Sequence, residues 1–383
     1  MLNSYKKFPS IGLLLVSFLI SVGEIKSDDL KSCVFISGKD GYDTYRIPAI
    51  VVTVKGTILA FCEGRKDEGG DSGNIDILLK RSFDNGKTWT RQQKIWDDSV
   101  NTCGNPCPIV DRQTGTIHLL MTWNRGDDKE HEIIKQISID TRRVFICSSN
   151  NDGKTWEEPK EITNNVKKSN WTWYATGPGA GIQIERGEHA GRLVAPCDHI
   201  EAETRDYYSH IIYSDDHGQT WKLGGSTPQP QVNECQVVEI SQNRLMLNMR
   251  NYDRRFHNRQ IALSADGGTT WSDQKFDIDL IEPICQASLR AALWNGDGTR
   301  KYLFFSNPAD STERINMTLK LSLDEGISWS NSKVLHSGPS AYSDLVIIES
   351  NKVGCLFEAG ERHPYENIVF VLIPINDLMN LYK

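Results

Sequence analysis

Three arginines stand in apolar or strand-like company: Arg46 in Tyr45-Arg46-Ile47-Pro48, Arg250 in Leu247-Asn248-Met249-Arg250, and Arg314 in Glu313-Arg314-Ile315-Asn316-Met317. An arginine inside a strand needs a partner for its charge. A buried arginine–carboxylate pair would account for any one of them. Three, drawn from well-separated segments, can instead converge on one point, and convergent guanidiniums make a clamp for a carboxylate or a phosphate. Other polar residues occupy comparable places: Asp71 in Gly69-Gly70-Asp71-Ser72-Gly73-Asn74, Glu234 in Asn233-Glu234-Cys235, Tyr342 in Ser340-Ala341-Tyr342-Ser343-Asp344-Leu345, and Glu358 in Leu356-Phe357-Glu358-Ala359-Gly360. Taken singly, each has an ordinary explanation as a turn aspartate, a half-buried tyrosine or a solvated strand edge.

What could bring them together is a repeat. Ser-Phe-Asp-Asn-Gly-Lys-Thr-Trp at Ser82 to Trp89 returns, with Ser first, Gly fifth and Trp eighth, at Ser149 to Trp156, Ser214 to Trp221, Ser264 to Trp271 and Ser322 to Trp329. Asp holds the third place as Asp84, Asp216, Asp266 and Asp324, whereas the second copy has Asn151 there and Asp152 one place later. The starts are 67, 65, 50 and 58 residues apart, a mean of 60, which is the period of a repeated supersecondary unit. Short runs such as Ile75-Asp76-Ile77-Leu78-Leu79 and Leu319-Lys320-Leu321 flank the boxes and read as strands bounded by turns. Each box is therefore a hairpin turn, in which Asp accepts backbone N–H bonds, Gly supplies positive φ and Trp covers the turn.

Residues 1–27 combine Lys6 and Lys7, an apolar run from Ile11 to Val22, and small residues at Ser21, Gly23 and Ser27, the pattern of a cleaved signal peptide. The remaining 356 residues, 28–383, hold about six units of the repeat and are expected to form one all-β domain, a six-bladed β-propeller. In a propeller the inner strands of all blades meet at the axis, where distant residues can share one mouth. Composition excludes other classes. A net charge of −7 argues against a nucleic-acid partner, and nine histidines and nine cysteines show no metal-ligand spacing, so neither a metal nor another cofactor is expected. The odd cysteine count leaves at least one thiol unpaired within the chain, and Cys62 and Cys355 read as small buried residues. Gly177-Pro178-Gly179-Ala180-Gly181 lacks the Gly-Lys-Ser/Thr of a phosphate loop and reads as a tight turn. Asn170 and Asn316 head glycosylation sequons; a glycan on Asn316 would crowd Arg314, so that site is expected unmodified.

These residues resemble the exo-α-sialidases (neuraminidases). Tyr45-Arg46-Ile47-Pro48 is similar to that family's Phe/Tyr-Arg-Ile-Pro signature, and the boxes resemble its Asp boxes. Gly64-Arg65 with Asp71 six residues on, Gly104-Asn105-Pro106, Trp173 to Gly179, Asn233-Glu234, Arg250, Arg314 and Ser340 to Leu345 follow in the family's order over nearly the whole mature chain. The resemblance implies a six-bladed propeller with one axial pocket. There Arg46, Arg250 and Arg314 would clamp the sialic-acid carboxylate, with Glu358 holding Arg46. Arg65 would meet the C4 hydroxyl, Asp71 would be the acid/base, Tyr342 the nucleophile and Glu234 its base. Asn105 stands where many bacterial members carry an Asp beside the C4 hydroxyl, which bears on preference at C4. The irregular second box should affect only a turn.

The residue types suit that chemistry. Sialic acid carries a carboxylate on its anomeric carbon, so a carboxylate nucleophile would meet a like charge at contact, at a cost of several kcal/mol in a poorly solvated pocket. A tyrosine is neutral until it attacks, and tyrosine-using sialidases are an established exception among glycosidases. With an ordinary pKa of about 10 it needs a base in reach and cations around the developing phenolate. The expected protein is an exported monomer, without membrane insertion of the mature chain, that hydrolyses terminal α-linked sialic acids of glycoconjugates with retention. A trans-sialidase or intramolecular trans-sialidase would share these residues. A sialoside-binding propeller lectin would need the arginines but not Asp71, Glu234 and Tyr342 together.

Overall fold

A computed structural model of the chain describes residues 22–24, 30–241, 243–293 and 301–379. Of the expected signal peptide only Val22–Glu24 falls within them, as a short strand beside Ser332–Val334; the rest of residues 1–27 lies outside the described residues. The chain is all-β; among the described residues the helices are short, at Glu130–Ile134, Thr163–Val166 and Ile375–Met379. Among the described residues no helix is long and apolar enough to cross a membrane.

Strand pairing divides the described residues into six consecutive antiparallel meanders. The first runs Thr44–Val52, Ile58–Arg65, Ile75–Ser82, Gln93–Trp96, and the second Thr102–Val110, Ile117–Asn124, Arg143–Ser149, Lys160–Glu161. In the third, Trp171–Thr176 and Ile182–Gln183 share an edge of Leu193–Glu201, followed by Tyr207–Ser214 and Lys222–Ser226. The fourth is Val232–Ile240, Arg244–Asn251, Asn258–Ser264, Lys275–Ile281. The fifth begins Ser288–Leu293, Lys301–Pro308, Ile315–Ser322 and ends on the first half of the long strand Asn331–Ile348. The second half of that strand opens the sixth, which continues through Lys352–Ala359 and Asn367–Pro374 and is completed by the N-terminal strand Leu30–Ile36. Hydrogen bonding through that long strand, and through a single parallel pair between Ile75 and Thr102, joins the six meanders into four sheets.

The repeated boxes form the turns between third and fourth strands. In the first, Ser82 Oγ accepts the Gly86 N–H at 2.9 Å and donates to Asp84 Oδ1 at 2.8 Å, while Asp84 accepts from the Thr88 N–H and hydroxyl at 2.9 and 2.6 Å. Gly86 has φ +85°, and a Cβ there would lie 2.2 Å from Phe370. Each box tryptophan also reaches the preceding meander. Trp156 meets Phe61 edge-on, Trp221 meets His118, Trp271 Nε1 donates to Gly225 O, and Trp329 Nε1 donates to Asp277. Trp89, in the first meander, meets Phe370 and Ser32 of the sixth. The junction from fifth to sixth meander has no box and is spanned by the continuous strand Asn331–Ile348. The irregular second box does more than make a turn: Asn151 takes over the usual bonds to Thr155, and Asp152 is freed to accept from Thr53 and Thr57 of the first meander at 2.6 and 2.7 Å.

First strands pack beside one another. Thr44–Val52 lies against Thr102–Val110, Val232–Ile240 against Ser288–Leu293, and Asn331–Ile348 against both Ser288–Leu293 and Thr44–Val52. Between them lies an ion pair, the buried Asp344 and the largely buried Arg290, 3.2 Å apart. The Asp344 carboxylate accepts from the backbone N–H groups of Ile50 and Ala180, each at 2.9 Å, and from the Ser288 hydroxyl at 2.8 Å. Arg290 donates to Ala180 O, Leu345 O and Gln236 Oε1. One ion pair thus satisfies polar groups from segments nearly 300 residues apart, which is what makes its burial tolerable. All nine cysteines are free thiols, eight of them buried, Cys62 and Cys355 included.

Candidate active site

At one end of the first strands the pairing register slips in the same way again and again: between Arg46 and Ala49, Gly104 and Cys107, Trp171 and Tyr174, Val232 and Cys235, and Ser340 and Ser343. Such bulges re-aim side chains. Ile47 and Asn105 sit at φ +59° and +52°, unusual for any residue with a Cβ and most of all for a β-branched one. Both immediately precede a proline, which cannot donate to the ladder. The slips turn Arg46, Asn105, Glu234 and Tyr342 toward one end of the meanders, where Arg65, Asp71, Arg250, Arg314 and Glu358 join them through the contacts below.

Tyr342 and Glu234 are the centre. The Tyr342 hydroxyl donates to Glu234 Oε1 at 2.5 Å, and Arg250 Nη1 donates to Glu234 Oε2 at 2.6 Å and to the Tyr342 oxygen at 3.1 Å. Burial and then the Glu234 charge push the phenol well above its ordinary pKa, against the opposing pull of Arg250, Arg314 and Arg46. The proton is therefore held on Tyr342, with an acceptor already in line.

Arg46 is buried. Its Nε donates to Glu358 Oε1 at 2.9 Å, the same oxygen accepts the Ile47 N–H, and Glu358 Oε2 accepts the Tyr342 N–H at 3.0 Å. A single buried carboxylate thus locks arginine, bulge and tyrosine together. Arg314 donates to the Tyr365 hydroxyl at 3.0 Å and to Ile284 O at 3.2 Å. The Arg46 and Arg314 guanidiniums lie 5.1 and 5.8 Å from the Tyr342 ring centre, so all three arginines border one phenol.

Asp71 sits on the loop between Ile58–Arg65 and Ile75–Ser82, its side chain 64% exposed, 2.8 Å from Arg65 and 3.7 Å from Arg46. Partial burial raises its carboxyl, but the two guanidiniums outweigh that and hold it below the usual carboxylate range. Arg65 is itself fixed by Glu63, at 2.7 Å, and by Gly69 O.

Asn105 presents its amide in one orientation only. Its Oδ1 accepts from the Thr122 hydroxyl at 2.8 Å and from Arg142, and an atom facing a guanidinium must be the oxygen. Arg142 is buried, stacked on Trp173 at 4.2 Å, and burial lowers its pKa. Sequence reasoning missed Glu63, Arg142 and Tyr365. Glu63 stood in plain view in Cys62-Glu63-Gly64-Arg65, a charged residue inside an apolar strand, which is the signal that singled out the three arginines. Among the described residues no group of His, Cys, Asp and Glu could hold a metal ion. A cavity of about 500 Å³ opens at the opposite end of the same strands, lined by Val52, Val110, Val238 and Val346, and contains none of these nine residues.

Comparison with known proteins bears on what such a site belongs to. Residues 56–355 match the model of a BNR repeat-like domain. A sialidase of Micromonospora viridifaciens is 32% identical over 341 residues, covering 87% of this chain and 52% of that protein. A sialidase of Bacteroides fragilis is also 32% identical, covering 90% of this chain and 64% of that protein. The chain therefore spans between half and two thirds of the length of these two bacterial relatives. Sialidase-3 of Mus musculus is 30% identical over 415 residues, covering 93% of this chain and 97% of that protein. Among solved structures, Hadza microbial sialidase Hz136 superposes with a TM-score of 0.82 at 32% identity, over 91% of this chain and 69% of that one. A family model covering most of the chain, and a relative aligned almost end to end, place this chain in the sialidase family.

Proposed function

We propose that the protein is an exo-α-sialidase that releases terminal α-linked sialic acids from glycoconjugates by retaining hydrolysis. The observation that carries this reading is the Tyr342–Glu234 bond of 2.5 Å, bordered by three arginines. An anion clamp alone would need no phenol aimed at a carboxylate. In the first step the Tyr342 oxygen attacks the anomeric carbon as Glu234 takes its proton. The bond to the leaving oxygen breaks, and that oxygen receives the Asp71 proton. In the second, Asp71 takes a proton from water as the water oxygen attacks the same carbon. The tyrosyl bond breaks and the phenolate recovers its proton from Glu234. Arg46, Arg250 and Arg314 hold the substrate carboxylate and stabilise the phenolate, Glu358 fixes Arg46, and Arg65 and Asn105 contact the sugar on the Asp71 side.

The same proposal includes the architecture. The six meanders are read as six blades closed into a ring around the Arg290–Asp344 pair. Support comes from Trp89 of the first meander docking on Phe370 of the sixth, and from Leu30–Ile36 completing the sixth sheet.

Incubation with a fluorogenic α-sialoside, with and without lactose, tests the activity. Free sialic acid as sole product is expected in both. Sialyllactose would make the protein a transferase, an anhydro sugar an intramolecular one, and no turnover would leave a lectin.

A further inference from the structure

Two of the three arginines share a partner that is not an acid. The Arg46 guanidinium lies 3.8 Å from the centre of the Tyr365 ring, and the Tyr365 hydroxyl accepts from Arg314 Nη1 at 3.0 Å. We infer that Tyr365 is a positioning residue that aims Arg46 and Arg314 at a common anion while leaving the charge of Arg314 uncompensated. The inference rests on the sialidase reading above and adds a residue to it.

Each arginine is oriented differently. Arg46 is paired with Glu358 and Arg250 with Glu234, so each is held by an opposite charge. Arg314 makes no ion pair among the described residues; its two anchors, the Tyr365 hydroxyl and Ile284 O, are both neutral. Each terminal nitrogen of a guanidinium carries two N–H groups. Spending one from Nη1 on Tyr365 and one from Nη2 on Ile284 leaves one on each for a carboxylate, in the fork that suits bidentate binding. A carboxylate in place of the Tyr365 hydroxyl would orient Arg314 as well but would neutralise it, as Glu358 and Glu234 already neutralise the other two arginines. The phenol orients it without that loss.

The tyrosine is itself well held. It follows the strand Lys352–Ala359 on the turn leading into Asn367–Pro374, its ring packs on the cluster of Ile47, Ala341 and Tyr342, and its carbonyl accepts from Ser37 at 2.7 Å. Its ring face lies against the Arg46 guanidinium at 3.8 Å, so the stack adds to the Glu358 bond in restricting how that guanidinium can turn.

Tyr365→Phe keeps the ring and removes the acceptor; Tyr365→Leu removes both. The probe is the 2,3-unsaturated glycal of sialic acid, titrated calorimetrically, beside steady-state kinetics on a fluorogenic sialoside. Loss of a hydrogen bond to a charged group predicts glycal binding weakened about 10-fold in Tyr365→Phe and, with the stack also gone, about 100-fold in Tyr365→Leu. KM should rise in parallel, kcat should stay within about threefold in the Phe variant, and its melting temperature should be unchanged, because uniform binding is what is lost. Unchanged glycal affinity in both variants would overturn the inference, as would a fall in kcat accompanied by a lower melting temperature. If the normal protein does not bind the glycal, the sialidase reading falls first and this inference falls with it.

Discussion

At the scale of single residues, the feature that demands explanation is Asp71. The proposed role of general acid requires a proton, yet Arg65 and Arg46 hold this carboxyl below its ordinary range. On the proposed function a bound sialoside shifts that balance: its carboxylate compensates Arg46, and its bulk displaces water from around Asp71, so the carboxyl should rise on binding. The rate falls where Asp71 loses its proton, so the descending limb of kcat/KM, which reports the free enzyme, should lie at lower pH than the descending limb of kcat. Coincident limbs across a full pH profile would mean that binding leaves Asp71 unchanged. Asp71→Asn should cost far more with a poor leaving group such as lactose than with a fluorinated or nitrophenyl one, which departs without a proton. The arginines give a second expectation. Arg250→Ala or Arg314→Ala should weaken glycal binding by several kcal/mol, roughly 100-fold or more, because each removes a charge-assisted bond to a desolvated carboxylate. A loss under about tenfold in a calorimetric titration would make that arginine structural.

At the scale of elements, the boxes and the bulges divide the labour. Boxes were legible because Ser, Gly and Trp at fixed places leave few alternatives to a tight turn. Their tryptophans docking on the preceding meander was not legible, since no local pattern names a partner such as Phe370, which lies 281 positions beyond Trp89. The bulges were half-written in Pro48 and Pro106, residues that a regular strand interior excludes. Trp89→Ala should destabilise the protein by about 3 kcal/mol, as expected for truncating a packed aromatic, and leave KM within about twofold. Asp266→Ala should act in the same direction more weakly, because it unties one turn. Differential scanning calorimetry alongside kinetics decides: a large loss of kcat in well-folded Trp89→Ala protein would place that box in the chemistry. Asp152→Ala carries a sharper expectation. It should melt lower even though Asn151 preserves the turn, because Thr53 and Thr57 lose the acceptor that ties two meanders together.

At the scale of the whole molecule, the site exists only because distant segments meet. Arg46 and Glu358, 312 residues apart, share a bond, as do Glu234 and Tyr342, 108 apart. The repeat made such convergence foreseeable, and the order of motifs pointed to these residues, but the supporting contacts were invisible. Asp344 stood in the sequence as one member of the run Ser340 to Leu345, and its place at the centre follows from backbone groups of Ile50 and Ala180 that no side-chain pattern advertises. Asp344→Asn, which leaves the largely buried Arg290 without its counter-charge, should cost up to about 3 kcal/mol on a chemical denaturation curve. The central claim is that this convergence makes Tyr342 a nucleophile served by Glu234, and covalent trapping addresses it most directly. A sialosyl fluoride with a second fluorine at C3 destabilises the oxocarbenium-like transition states of both steps, while its good leaving group keeps the first step faster than the second, so the intermediate should accumulate. Peptide mass spectrometry should then find the sugar on the peptide containing Tyr342, formed slowly in Glu234→Gln and not at all in Tyr342→Phe; an adduct on any other residue would contradict the account.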